Sequence, residues 1–161
     1  MTGTTIRSHT ESIDVEAPPE AVYALVSDIA RTGEWSPVCV ACWWDDDTEP
    51  GQVGAWFTGR NSTPDRTWET RSELVAADPD REFAWIVGGT FARWGFTLAP
   101  TESGTVLTQS WEFLPGGIAM FENKFGDAAG VQIALRTQQA LEGIPQSLAA
   151  IKRIVESGSA R

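Results

Sequence analysis

The most regular apolar pattern of the chain lies near its C-terminus, between residues 127 and 157. Five apolar residues there follow one another at steps of three and four, which places them on one face of an α-helix. They are Leu141, Ile144, Leu148, Ile151 and Val155. The other side, towards water, carries mostly polar residues, namely Gln139, Glu142, Gln146, Arg153 and Glu156. We therefore predict a long terminal helix with Asp127 as its N-cap and a kink near residues 143–145, because Pro145 cannot donate a backbone hydrogen bond.

Alternating apolar and polar residues predict strands over most of the remaining chain. A first strand is expected at residues 5–15, with Ile6 among its apolar members. Pro19 then suits the first turn of a helix. Two short helices, separated at Thr32-Gly33, are expected to end before Pro37, because the residue preceding a proline is pushed out of helical geometry. Six further strands with short turns between them are predicted at residues 38–44, 53–61, 67–76, 82–87, 91–98 and 105–113.

The order of these elements predicts an α+β fold. One strand, two short helices, six strands and a long helix would form a seven-stranded antiparallel sheet with the C-terminal helix over its concave face. Residues 114–126 carry mixed signals and are expected to form either a loop or a short helix folded over an opening. At 161 residues the chain is most simply a single domain, with an ordered core of about residues 4–157.

Composition narrows the classes of function. The net charge of −10, from 22 acidic and 12 basic residues, would repel phosphate backbones and argues against a nucleic-acid partner. No signal peptide is visible and no apolar run is long enough to span a membrane, so we expect a cytoplasmic protein. Eight tryptophans either fill a core or line an aromatic ligand pocket.

Particular stretches of the chain, in this order, resemble the START-like (SRPBCC) superfamily, the polyketide cyclase/dehydrase and lipid-transport group with a helix-grip fold. The matching stretches are IDVEAPPEAVYALVSDIARTGEWSP, VGAWFTGRN, WETRSELVAADPDREFAWIV, WGFTLAPTESGTVLTQSWEF and GIPQSLAAIKRIVE. The resemblance is strongest to small bacterial members. It implies a cavity for a hydrophobic small molecule between the sheet and the terminal helix. Relatives often carry a glutamate where Gln109 stands, so this chain could not use that position as an acid or base.

Strand alternation assigns side chains to the inner face of the sheet. In the predicted strand at residues 67–76 the charged side chains must face water, so the side chains between them must face the inside of the sheet. Together with two residues of the terminal helix, the predicted ligand-binding set is Phe57, Asn61, Trp68, Thr70, Ser72, Trp85, Trp94, Phe96, Gln109, Trp111, Leu141 and Leu148. The polar members either satisfy one another, the backbone or ordered water, or they orient the polar group of a ligand.

Other candidate chemistry finds little support in the sequence. Cys39 and Cys42 have the spacing of a redox motif, but residues three apart in a strand should face opposite sides. His9 has no partner identifiable by spacing, and Asp45-Asp46-Asp47 lacks the spacing of a calcium loop. We therefore predict no catalytic residue, no metal and no cofactor.

Three hypotheses of function follow. The first is a carrier or sensor that binds a lipid, polyketide or aromatic compound. The second is a polyketide cyclase or aromatase that shapes its substrate with Asn61, Ser72 and Gln109 as orienting groups. The third is a regulatory or protein-interaction module with a collapsed cavity. The expected state is a monomer or a homodimer.

Overall fold

Seven antiparallel strands form one sheet in the computed structural model, which describes residues 7–158. The strands are β1 (Ser8–Val15), β2 (Cys39–Trp44), β3 (Trp56–Thr63), β4 (Arg66–Asp78), β5 (Glu82–Val87), β6 (Ala92–Thr101) and β7 (Gly104–Phe113). Their order in the sheet is β1-β7-β6-β5-β4-β3-β2, so that β2 to β7 form a meander and β1 lies beside β7 as the edge strand opposite β2. The predicted fold is confirmed; residues 4–6 of the predicted ordered core, including Ile6, lie outside the described residues.

Strand boundaries differ from the prediction mainly at two places. Residues 53–55 precede β3 instead of opening it, and Val53 is 62% exposed. Pro100 lies inside β6 instead of in the turn, because the hairpin is tighter and pairs Thr101 with Gly104. At Gly104 a side chain would have no room, since a Cβ atom there would lie 2.1 Å from the carbonyl oxygen of Val15.

Two short helices cross from β1 to β2, as predicted. Helix α1 (Pro19–Val26) has a proline at its start, and α2 (Thr32–Trp35) ends directly before Ser36-Pro37. The interruption lies at residues 27–28, followed by a 3-10 turn, and not at Thr32-Gly33. Gly33 lies inside α2, where it allows close approach to β2: a Cβ atom there would lie 2.6 Å from the carbonyl oxygen of Val40.

The C-terminal third is helical. Residues of the uncertain segment form α3 (Pro115–Phe125), and a 3-10 turn (Gly126–Ala128) joins it to α4 (Ala129–Gly158). Asp127 lies inside that turn and is therefore not the N-cap of α4. Helix α4 continues through Pro145 without interruption. No helix within residues 7–158 has both the length and the apolar character needed to cross a membrane.

Helix α4 packs on the β1–β7 side of the sheet. Ile144, Leu148, Ile151 and Val155 are buried there in one core cluster with residues of α1, β6 and β7. A second cluster lies towards the other edge, between β2 and β5, and includes Phe57, Leu74 and Phe83. Between these two clusters the helices do not meet the sheet, and a space remains.

Candidate ligand cavity

This space is a cavity of about 580 Å³ between the concave face of the sheet, α4 and α3. Ligand pockets in proteins typically occupy roughly 300–1,000 Å³. Strands β3 to β7 supply one wall with alternate residues, helices α1 and α2 close one end, and α3 and α4 form the other wall. The inward-facing residues of β3 to β7 are Phe57, Gly59, Asn61, Trp68, Thr70, Ser72, Phe83, Trp85, Val87, Trp94, Gln109, Trp111 and Phe113, and the α3 and α4 residues are Met120, Phe121, Lys124, Phe125, Arg136, Gln139, Ala140, Gly143 and Ser147.

Aromatic side chains brace the wall of the cavity against one another. A connected series of rings runs from Trp94 through Trp111, Phe113 and Phe121 to Phe125, with neighbouring centroids 5.2–6.4 Å apart. This series ties the sheet to α3. Edge-to-face and tilted ring pairs of this kind add about 0.5–1.5 kcal/mol each beyond the area they bury. The space is therefore held open by stiff side chains that would have to break these contacts to fill it.

Two buried polar atoms in this wall have no hydrogen-bond partner among the described residues: the side-chain oxygen Oε1 of Gln109 and the indole nitrogen Nε1 of Trp35. Gln109 is 2% exposed and comes from β7, and Trp35 is the last residue of α2. The Trp35 ring stands edge-on to Phe96, with centroids 5.4 Å apart, and Phe96 is the cross-strand partner of Gln109. An unpaired acceptor and an unpaired donor thus belong to two cavity-lining residues that both neighbour Phe96.

The other polar residues of the inner face are partly satisfied within the protein. The amide nitrogen Nδ2 of Asn61 donates a hydrogen bond to Oγ1 of Thr70, 3.3 Å away on the neighbouring strand. Ser72 is buried on the same strand as Thr70. These groups present hydroxyl and amide functions to the cavity, but the Asn61–Thr70 pair needs no ligand to be satisfied.

Both cysteines line the cavity, and the prediction that they face opposite sides is wrong. The pairing register of β2 shifts between Cys39 and Ala41, and this β-bulge turns both thiols to the same face. A Cβ atom at Gly59 would lie 3.4 Å from one sulfur and 3.9 Å from the other, so this glycine leaves the room they occupy. A hydrogen bond from the Cys42 thiol lowers the pKa of Cys39, and the same bond together with burial raises the pKa of Cys42.

Charged residues lie at one part of the cavity wall, at the start of β4 and on the facing sides of α3 and α4. Arg66, Lys124 and Arg136 are there, and none of them has a carboxylate within ion-pair distance among residues 7–158. Glu69 also reaches this region, but it is paired with Arg60 at 3.1 Å. Burial, and then the nearby charge of Arg66, lower the pKa of Arg136.

Nine of the twelve predicted site residues line the cavity. They are Phe57, Asn61, Trp68, Thr70, Ser72, Trp85, Trp94, Gln109 and Trp111. Phe96, Leu141 and Leu148 do not line it: Phe96 and Leu148 are buried in the core cluster, and Leu141 is half-buried on α4. Ligand contact stays a prediction for the nine.

The two residues predicted on α4, Leu141 and Leu148, each lie one position after a residue that lines the cavity. The face of α4 that lines the cavity carries Arg136, Ala140, Gly143 and Ser147, at steps of four, three and four. This stripe lies one residue before the apolar stripe, about 100° around the helix. Small residues at regular helical spacing were the available signal, and Gln139, expected towards water, also lines the cavity. The role of Trp35 and of the cysteines depends on tertiary packing and on the bulge, which no local pattern shows.

Sequence comparison with protein families agrees with this architecture. The profile of the family described as polyketide cyclase / dehydrase and lipid transport matches residues 7–149. The chain belongs to this family. Among curated proteins, none matches the sequence.

Solved structures share the same architecture. The polyketide-cyclase-like protein Cgl2372 from Corynebacterium glutamicum is 55% identical, with 92% of this chain and 91% of that chain covered and a TM-score of 0.68. Protein NE0264 from Nitrosomonas europaea is 15% identical, with 96% and 97% covered and a TM-score of 0.70. The di-domain aromatase/cyclase StfQ of the steffimycin biosynthetic pathway is 14% identical, with 96% of this chain and 52% of that chain covered and a TM-score of 0.70. The latter two similarities show the fold alone.

Proposed function

We propose that the protein binds a hydrophobic small molecule of the lipid, polyketide or aromatic class in the cavity between the sheet and α4, as a carrier or sensor. The observation that carries the proposal is the cavity of about 580 Å³, whose largely aromatic wall contains two buried polar atoms without partners. Small-molecule sites combine an apolar lining with a few polar groups that fix orientation. Binding would bury the apolar surface of the guest, and a turn of the Gln109 amide or the Trp35 ring towards the guest would pair these atoms.

The donor and the acceptor suggest what the guest carries. The indole N–H of Trp35 can only donate, whereas Oε1 of Gln109 can only accept. A hydroxyl group of a ligand both donates and accepts, and a carbonyl beside a hydroxyl would do the same with two atoms. We therefore expect hydroxylated or keto-enol compounds to bind more tightly than hydrocarbons of the same shape.

Thr70→Trp tests the site directly. Thr70 faces the cavity from the middle of β4, so an indole there would occupy space that the guest needs. The matched control is Thr67→Trp, on the same strand but exposed and absent from the cavity wall. Native mass spectrometry and organic extraction of the purified protein, followed by titration with a panel of lipids, sterols and polycyclic aromatic compounds, provide the measurement.

The expected result is at least tenfold weaker binding in Thr70→Trp and wild-type binding in Thr67→Trp. Equal binding by both folded variants would show that the guest lies elsewhere. A wild-type protein that copurifies with nothing and binds no member of the panel would refute the proposal.

A second candidate function is a polyketide cyclase or aromatase. Family membership favours it, since the family description includes polyketide cyclases. Asn61, Ser72 and Gln109 would orient the substrate chain, and the cavity would enforce its folded shape. Product analysis with a reactive poly-β-keto thioester distinguishes this function from carriage: an enzyme changes the distribution of cyclised products and alanine variants of the three residues reverse that change, whereas a carrier leaves the distribution as it is in buffer.

A further inference from the structure

The sign of the charge at one part of the cavity wall is opposite to that of the whole protein. The chain carries 22 acidic and 12 basic residues. Nevertheless Arg66, Lys124 and Arg136 all line the cavity without an ion-pair partner among residues 7–158. We refer to these three residues as the cationic rim. Arg66 and Lys124 are exposed and Arg136 is half-buried, so water solvates much of their charge. They differ from other cations that are unpaired in the described part of the chain, such as Arg81 and Arg153, in that they line the cavity.

Aromatic rings hold the two arginines of the rim together. The guanidinium carbon of Arg66 lies 4.0 Å from the centroid of the Trp68 ring, and that of Arg136 lies 5.9 Å from the same centroid. Arg136 also lies 5.6 Å from the centroid of Phe121 on α3. Two guanidinium groups are thus fixed around one indole ring, which itself lines the cavity. Cation–π contacts orient them but do not neutralise them.

The two arginines repel each other, and no carboxylate of residues 7–158 forms an ion pair with either of them. The pKa of Arg136 is lowered, first by burial and then by the charge of Arg66. A guanidinium remains protonated under ordinary conditions, so the pair stays doubly positive. Glu69 and Arg71 also line the cavity, but their charges are paired: Glu69 with Arg60 at 3.1 Å and Arg71 with Asp45 at 2.8 Å. An anion between the rim residues would remove the repulsion.

We propose that the cationic rim binds the anionic oxygen head group, carboxylate or phosphate, of an amphiphile whose apolar part occupies the cavity. This inference rests on the proposed function and specifies its ligand class. Arginine presents a planar fork of donors that matches both kinds of head group, and Lys124 adds a point charge from the neighbouring helix. The apolar tail would lie along the aromatic wall.

A series of ligands with one tail and different heads tests the inference. Dodecanoate, dodecyl phosphate, dodecanol and dodecylammonium share the same chain, so differences in affinity report on the head group. We expect the two anions to bind at least tenfold more tightly than dodecanol, and dodecylammonium to bind most weakly. The comparison between dodecanoate and dodecyl phosphate decides which oxyanion the rim prefers.

Variants of the rim test the residues. Arg66→Gln with Arg136→Gln should reduce the preference for the anions over dodecanol to within about threefold, because the affinity for the anions falls by more than that for dodecanol. The matched control is Arg153→Gln, which removes an exposed charge from α4 outside the cavity wall and should keep the full preference. If the double variant does not fold, the salt dependence of wild-type binding takes its place: dodecanoate should bind more weakly as ionic strength rises, and dodecanol should not.

The outcomes separate the inference from the proposed function. If dodecanol binds as tightly as dodecanoate, or if only uncharged compounds of the wider panel bind, the cations merely cover apolar surface with their stems and the inference is wrong, while the proposed function stands. An anion preference that persists in the folded double variant also overturns it. If no compound of either series binds, both fail.

Discussion

Replacing Gln109 by leucine should stabilise the ligand-free protein. Gln109 is 2% exposed, and its Oε1 atom has no partner among the described residues. Leaving such an atom unsatisfied costs about 1–3 kcal/mol, a cost that a leucine of similar volume does not carry. Two of its neighbours on the sheet, Phe96 opposite on β6 and Trp111 two residues on, are apolar and suit a leucine, whereas Glu11 lies opposite on β1. We expect Gln109→Leu to raise the free energy of unfolding by about 1–2 kcal/mol.

The same substitution should weaken the binding of a hydroxylated ligand. A ligand that donates to Oε1 would lose that hydrogen bond, which we expect to reduce affinity about tenfold, or about 1.4 kcal/mol. An analogue without the hydroxyl should bind the variant as tightly as the wild type or more tightly. A gain in stability coupled to a loss of affinity is the signature expected of a group kept for binding.

Urea denaturation of protein freed of bound lipid measures the first effect, and thermal unfolding should show a rise of about 2–4 °C per kcal/mol for a chain of this size. The matched control is Gln146→Leu on the exposed side of α4, where no stabilisation is expected. A loss of more than about 1 kcal/mol in Gln109→Leu would mean that the amide is satisfied in the native state. The argument that it awaits a ligand would then be wrong.

Two further predictions concern stability. Burial raises the pKa of Asp45, but hydrogen bonds from Thr58 and Arg71 outweigh it and hold this pKa below its ordinary value. Asp45→Asn should therefore lower the free energy of unfolding by about 1 kcal/mol at pH 6, where the carboxylate is charged in the folded and the unfolded protein. This loss should disappear as the pH falls through the lowered pKa, and urea denaturation at pH 6 and pH 2.5 would measure it. Leu148→Ala should cost about 2–5 kcal/mol because Leu148 is 2% exposed, yet leave ligand affinity unchanged in the folded protein; Leu135→Ala, at a 49% exposed site on the same helix, should cost far less, and equal losses would contradict the assigned packing.

The sheet was predictable because its strands carry a clean alternation. In β7 every second residue from Thr105 to Phe113 is buried, so the inner face could be assigned from period two alone. The same reasoning placed Trp68, Thr70 and Ser72 correctly, because charged neighbours fixed the outer face of β4. When one face of a strand is exposed to solvent and the other is buried, a shift of one residue would expose the apolar side chains, so the register is strongly specified.

The prediction was wrong at two places: at the β-bulge of β2, and in the choice of which face of α4 lines the cavity. The bulge between Cys39 and Ala41 brings two thiols together that an ideal strand would separate. On α4 the largest apolar residues mark the face that packs tightest, and this is not the face that leaves a space. The cavity lies against Ala140, Gly143 and Ser147 because small side chains cannot fill it. On a helix that packs over a sheet, small residues at helical spacing therefore indicate the face that lines a cavity better than leucines do.

The unpaired groups of the wall make a nonspecific hydrophobic guest a poor fit. A hydrocarbon would bury apolar surface, but it would leave Oε1 of Gln109 and Nε1 of Trp35 unsatisfied and the charges of the cationic rim unbalanced. Each unsatisfied polar atom costs about 1–3 kcal/mol, so a guest that supplies a matching group is favoured about 5- to 150-fold over one that does not. Sites built to hydrogen-bond a ligand reject analogues without that group more strongly than apolar pockets reject a change of size. Selectivity in this cavity should therefore follow the polar groups of the guest, with its apolar part setting only whether it fits.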